Sequence, residues 1–201
     1  MYRLLCLGLL VIFTNPADAS TSVTRWGREV VRASNMVWGI SGPVPVFLAQ
    51  IQQESGGRPD VCSPYACGLT QFTPSTAEWI AQTYRTELSA TDAHAARFDP
   101  RWAIRAMVRY DKHLYDRVQG HTSCDRMWAT LRHYNGGAGH WQKEASFAQD
   151  PLDRHSVDAQ CGKARRSIKH CPENLGYPSR ILLRHQVKYV AWGRTFCIVK
   201  E

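Results

Sequence analysis

Apolar residues recur at helical spacing along most of the chain, and strict two-residue alternation is never sustained. Over residues 23–37, Trp26, Val30 and Val37 share one face, and Gly39 closes the run. Pro43 and Pro45 then stand where a helix can begin but not continue. Val46, Phe47, Leu48 and Ile51 predict a largely buried helix with Glu54 at its C-terminal end, stopped by Gly56 and Gly57. Residues 56–64 read as a loop. Thr73 and Pro74 open a helix with Ala77, Ile80, Ala81 and Tyr84 on one face.

Asp99 and Pro100 repeat that start signal, and Ala103, Ala106, Met107, Tyr110 and Leu114 follow at three- and four-residue steps. This is the clearest amphipathic helix of the chain. Ser123 is the expected cap of another, running through Met127, Leu131 and Tyr134 to Gly136 and Gly137. Residues 141–147 predict one more short helix. Residues 149–177 are polar, hold Cys161 and Cys171, and read as a disulfide-tied surface loop. Pro178 is expected to open the last helix, through Ile181, Leu182, His185 and Tyr189. Short strands are compatible only with residues near 68–72. The fold class is therefore mainly α, with few or short strands.

Composition adds compartment and partner class. The 201 residues suit one domain, and 44% hydrophobic with 21% charged residues suit a folded globular chain. Arg3 precedes an apolar run over residues 4–13, and Ala17 and Ala19 occupy the two positions a signal peptidase reads. Residues 1–19 are expected to be a cleaved leader, with 20–201 as a single exported domain, periplasmic or extracellular. The apolar run falls short of the roughly 20 residues a membrane span needs, so no stable membrane insertion is expected. Beyond the leader stand Cys62, Cys67, Cys124, Cys161, Cys171 and Cys197, an even set that in an exported chain predicts disulfides. Their pairing is open, with Cys62–Cys67 the best candidate as a short staple after Glu54. No Cys-x-x-Cys pair or histidine ligand spacing is present, so no metal site is expected. The net charge of +8 favours an anionic polymer. Basic residues cluster only at Lys163, Arg165 and Arg166, which does not make the stripe that nucleic-acid binding needs.

Glu54 is the candidate for chemistry. Apolar residues precede it and no basic residue follows until Arg58, so burial can raise its pKa and keep it protonated. A glutamate at a helix end is by itself most often a solvated surface group. The order of four blocks changes that reading: Glu54, Ser55 and Gly56; then Gly68, Leu69, Thr70 and Gln71; then Phe98, Asp99 and Pro100 with their helix; then Tyr134, Asn135, Gly136 and Gly137. With Tyr177 to Ile181 before the last helix, this series resembles the soluble lytic transglycosylases, a lysozyme-like family similar to goose-type lysozyme. The resemblance spans about residues 43–192.

The resemblance implies a lysozyme-like fold and a peptidoglycan lytic transglycosylase with peptidoglycan glycan strands as partner and no cofactor. Glu54 matches the family's single catalytic acid and base. Ser55 matches the serine that helps position the glutamate or substrate, and Gln71 the cleft-lining glutamine. Tyr134 matches the tyrosine near the acid and Asn135 its neighbour, with Tyr177 on the far wall. Each also has an ordinary structural role: Ser55 as a helix cap, Gln71 and Asn135 in turns, and Tyr134 as a core aromatic. Thr70, His133 and Ala103 depart from the family's usual methionine, alanine and asparagine. His133 faces away from its neighbour Tyr134 on a helix and reads as structural. Asp60 is the nearby second acid, and its entry into the cleft would favour lysozyme-like hydrolysis. A peptidoglycan-binding assembly protein and a nucleic-acid binder are the competing classes, against which the intact Glu54 argues. A secretion, conjugation or pilus assembly complex is a compatible partner.

Overall fold

The side chains of residues 44–51 are all buried, and the rest of the fold is arranged around the helix they form. A computed structural model describes residues 22–164 and 167–198; the expected leader lies outside the described residues. Helix α1 covers Gly27–Trp38 and α2 covers Val44–Ser55. Val46, Phe47, Leu48 and Ile51 of α2 are fully buried, each stabilising the fold by about 1.5–3 kcal/mol. Helix α3, Pro74–Thr83, starts where Thr73 accepts the Thr76 amide, 3.1 Å away. Two short helical turns, Arg85–Leu88 and Ala93–Ala96, lead to α4 at Pro100–Tyr115. There the Asp99 carboxylate accepts the Arg101 amide at 2.9 Å.

Helix α5, Ser123–Gly136, begins one residue off the expected cap. Thr122 and Asp125 form a reciprocal capping box, so Ser123 is the first helical residue. Helix α6 covers Ala138–Ala145. The polar segment beyond it carries a short turn at Arg154–Asp158, and helix α7 begins at Cys171 and runs to Ser179. Pro178 therefore lies inside a helix that started seven residues earlier, not at its opening. Pro172 takes the early position that tolerates proline. Pro178 has no N–H to donate, and the helix widens to π geometry over Arg180–His185 before tightening to a 3₁₀ stretch at Gln186–Trp192.

Helix α2 packs between α1 and the α7 continuation, α4 lies across α1, and α5 joins α4 to α6 and α7. Among the described residues the expected strand near 68–72 is reduced to isolated bridges, Cys62 with Cys67 and Cys67 with Phe72. No described helix is long and apolar enough to cross a membrane.

Among the described residues three disulfides close the fold. Cys62–Cys67 is the expected staple. Cys124–Cys197 ties the start of α5 to the C-terminal segment, and Cys161–Cys171 ties the polar segment to the start of α7. A buried charge network anchors that same segment. Arg132 and Glu144, both fully buried, meet at 2.6 Å, and Arg132 also reaches Asp158 at 2.6 Å. Removing one member would strand a buried charge.

Candidate active site

Glu54 occupies the last turn of α2, where the chain must leave the helix. Gly56 takes φ 62°, the left-handed conformation that ends it. The glycine is needed here because a side chain at that φ is strained. The chain then runs through the stapled loop to Gly68, where a Cβ would collide with the Arg97 carbonyl oxygen. That close approach brings Leu69, Thr70 and Gln71 back beside the helix end. Ser55 is buried and donates to the Leu69 carbonyl at 2.8 Å, which fixes the returning loop against α2. Ser55 is thus a structural tie next to Glu54 and is absent from the cleft lining.

The cleft has a volume of about 270 Å³, and Glu54, Gln71, Tyr110, Tyr134 and Asn135 are among its lining residues. Tyr65 and Ala66 of the stapled loop and Thr73 and Thr76 at the start of α3 also line it. Four of the six residues singled out in the sequence, Glu54, Gln71, Tyr134 and Asn135, therefore meet in one concavity. Tyr177 reaches the same place from behind: its hydroxyl donates to Glu54 Oε1. Asp60 is exposed and outside the lining.

Glu54 is half-buried, and its pKa rises from 4.5 to about 8. Burial is the largest cause, since the surrounding protein disfavours the anion. The Tyr177 hydrogen bond and the Arg180 charge pull the other way, and the Glu173 charge adds to the rise. Arg180 is partly neutralised by Glu173 at 2.5 Å, which limits what it can do for Glu54. Burial wins, and Glu54 holds a proton at neutral pH.

The aromatic rings explain the low polarity behind the carboxyl. Tyr134 and Tyr177 stack with planes 9° apart and centroids 6.3 Å apart. Phe72 and Tyr110 pack on Tyr134 at 5.7 and 5.6 Å. The Tyr134 hydroxyl donates to the Thr70 carbonyl at 2.7 Å, so Tyr134 braces the returning loop. Burial and the nearby Glu54 push both phenols well above their usual pKa, keeping them as neutral donors.

Gln71 has φ 49°, a strained value for a residue with a side chain. Its Nε2 donates to the carbonyls of Val61 and Gly68 at 2.9 and 3.0 Å. Carbonyls only accept, so this amide's orientation is forced and Oε1 is the atom left to accept from the cleft.

Sequence reasoning missed Asp111. It is buried on α4, and Gln50 Nε2 approaches its Oδ1 at 3.5 Å. Gln50 lies one turn before Glu54 on the same face of α2. Asp111 Oδ2 and Gln50 Oε1 are both buried acceptors without a partner. Burial raises the Asp111 pKa well above the carboxylate range, which favours the neutral carboxyl. The available signal was a carboxylate placed four residues after Met107, on the apolar side of a strongly amphipathic helix. His133 is buried against Trp141, with centroids 5.8 Å apart and a pKa lowered to about 4 by burial, in keeping with a structural role. Among the described residues no group of histidine, cysteine and acidic side chains could hold a metal ion.

None of the curated proteins compared matches the chain. A family model, described as the Transglycosylase SLT domain, matches residues 39–156, more than half of the chain. The match runs from the turn before α2 to the turn after α6, and so takes in Glu54, Gln71, Tyr134 and Asn135. The mainly helical build of the chain fits the lysozyme-like fold of this family, and the chain belongs to the transglycosylase SLT domain family, which acts on peptidoglycan.

Proposed function

We propose that the protein is a peptidoglycan lytic transglycosylase that cleaves the β-1,4 bond between N-acetylmuramic acid and N-acetylglucosamine, with Glu54 as acid and base in turn. The observation that carries this reading is Glu54 itself: a carboxyl at the cleft with its pKa near 8, and no other carboxylate among the described lining residues. In the first step Glu54 gives its proton to the bridging oxygen as the bond from the anomeric carbon breaks. The muramic acid's 2-acetamido oxygen assists at that carbon. Glu54, now an anion, then takes the proton of the same sugar's C6 hydroxyl. The C6 oxygen closes on the anomeric carbon and gives a 1,6-anhydro ring. Every proton returns to its start, so the step needs neither water nor a cofactor.

Tyr177 bonds one carboxyl oxygen, Oε1. The proton to be transferred then resides on Oε2, which makes Tyr177 the group that selects the acidic oxygen and steadies the anion afterwards. Gln71, Tyr134 and Asn135 are assigned to the glycan through their places on the cleft wall. The leader expected from the sequence and the three disulfides favour an exported enzyme. A small exported domain of this kind suits local wall opening for a secretion, conjugation, pilus or phage machine.

Digestion of purified sacculi, with muropeptides identified by mass spectrometry, tests the reading. Anhydro-ended products, one water lighter than hydrolytic ones, are expected from the wild type and none from Glu54→Gln. Reducing ends would replace the transglycosylase by a lysozyme-like hydrolase. An unchanged product yield from Glu54→Gln would remove Glu54 from the chemistry.

A further inference from the structure

Asn135 stands exposed at the cleft edge, at the end of α5, and its amide has one internal partner that determines which way it faces. Asn174, on α7, donates from Nδ2 to Asn135 Oδ1 at 2.9 Å and to the Arg132 carbonyl at 3.1 Å. Arg132 Nε in turn donates to Asn174 Oδ1 at 2.9 Å. A guanidinium has donors only and a backbone carbonyl accepts only, so both ends of Asn174 are assigned without ambiguity. The sense of the chain runs one way, from Arg132 through Asn174 to Asn135. Asn135 Oδ1 is therefore occupied as an acceptor, and its Nδ2 is left to donate.

From this geometry we infer that Asn174 is a positioning residue that holds Asn135 as a hydrogen-bond donor toward the cleft, where it recognises the carbonyl oxygen of a substrate acetamido group. The assignment rests on the proposed glycan substrate and adds how one of its groups is read. The acetamido group is favoured because the cleft wall offers both halves of its complement. Gln71, held in the opposite sense, presents an acceptor for an N–H, and Asn135 presents a donor for a C=O. A hydroxyl would not require amides locked in opposite orientations.

The rest of the network shows why the orientation holds. Arg132 is fully buried and also bonded to Glu144 and Asp158, so it cannot swing away. Asn174 is buried three residues after Cys171, whose disulfide to Cys161 ties down the start of α7. Asn174 lies beyond the residues matched by the family model, as does Tyr177. The polar, disulfide-tied segment thus supplies a partner to each of two cleft residues, Tyr177 to Glu54 and Asn174 to Asn135.

The test uses Glu54→Gln as a non-cleaving parent and calorimetric binding of two probes. One is a β-1,4-linked N-acetylglucosamine hexamer and the other is the same hexamer without its acetyl groups. Asn174→Asp keeps the bond from Arg132 but turns the donor toward Asn135 into an acceptor, so Asn135 must rotate and face the cleft with oxygen. Asn135→Asp removes the donor directly, at an exposed position where folding is not at stake. Each variant is expected to bind the acetylated hexamer about tenfold more weakly, the worth of one hydrogen bond, and to lose the parent's preference for it over the deacetylated one. Parent-like affinity and preference in Asn135→Asp, or in a folded Asn174→Asp, would overturn the inference. A parent that binds neither hexamer, in a protein that leaves sacculi intact, would instead overturn the glycan reading beneath it.

Discussion

Tyr177 donates its hydroxyl to Glu54 from 123 residues away, so the carboxyl at the end of α2 is completed by a helix distant in sequence. The same bond holds the pKa of Glu54 below the value burial alone would give. Tyr177→Phe deletes the donor and keeps the ring in its stack on Tyr134. Its removal is expected to move the alkaline limb of the pH–rate profile above about 8 and to lower kcat by about ten- to a hundredfold, the worth of a hydrogen bond to a charged group. A profile measured on soluble glycan between pH 5 and 10 checks both effects. An unmoved limb would mean that the phenol does not touch the titrating group.

Glu54 should also weaken the fold that carries it. An unfolded glutamate loses its proton near 4.5, whereas the folded one keeps it to about 8. Between those values the folded chain binds a proton that the unfolded chain has released, so stability falls as pH rises through the window. The slope is about 1.4 kcal/mol per pH unit at most. Glu54→Gln escapes this cost. Thermal melts should coincide for variant and wild type near pH 4 and separate progressively toward pH 8, with the inactive variant melting higher.

The Gln50–Asp111 pair makes a related statement about a group away from the reacting bond. With Asp111 protonated, an asparagine in its place preserves size and neutrality. Asp111→Asn is expected to fold, to retain activity, and to gain stability relative to wild type as pH rises above the ordinary carboxylate range. Asp111→Ala leaves Gln50 with a buried, unpaired amide and should cost about 1–3 kcal/mol. A large loss in Asp111→Asn, measured by denaturant unfolding at pH 7, would show that Asp111 is ionised.

The disulfides differ in what they close. Cys124 and Cys197 are 73 residues apart, and Cys62 and Cys67 only 5. Loop-closure entropy assigns about 4 kcal/mol to the first and about 2 kcal/mol to the second. Serine pairs at each position, compared by equilibrium unfolding, should preserve that order. The short staple should matter more for the cleft, since Tyr65 and Ala66 line it.

Much of this was legible along the chain, because the signals were local. Thr73, Asp99 and the prolines after them mark helix starts through a single amide bond each, and the run from Val46 to Ile51 is buried because nothing polar interrupts it except Gln50. Pro178 misled because its local preference for a helix start was overridden by a helix already begun at Cys171 and packed on α5. That misplacement put Asn174 in a loop and hid its bond to Asn135. Residues 54–57 sufficed to place a carboxyl at a helix end followed by glycines. Whether that carboxyl is an acid or a solvated anion depended on Tyr134, Tyr177 and Phe72, which come from three separate segments. Desolvation is a property of everything within a few ångströms, irrespective of chain order. Only the tertiary structure assembles those neighbours, and with them the proton on Glu54.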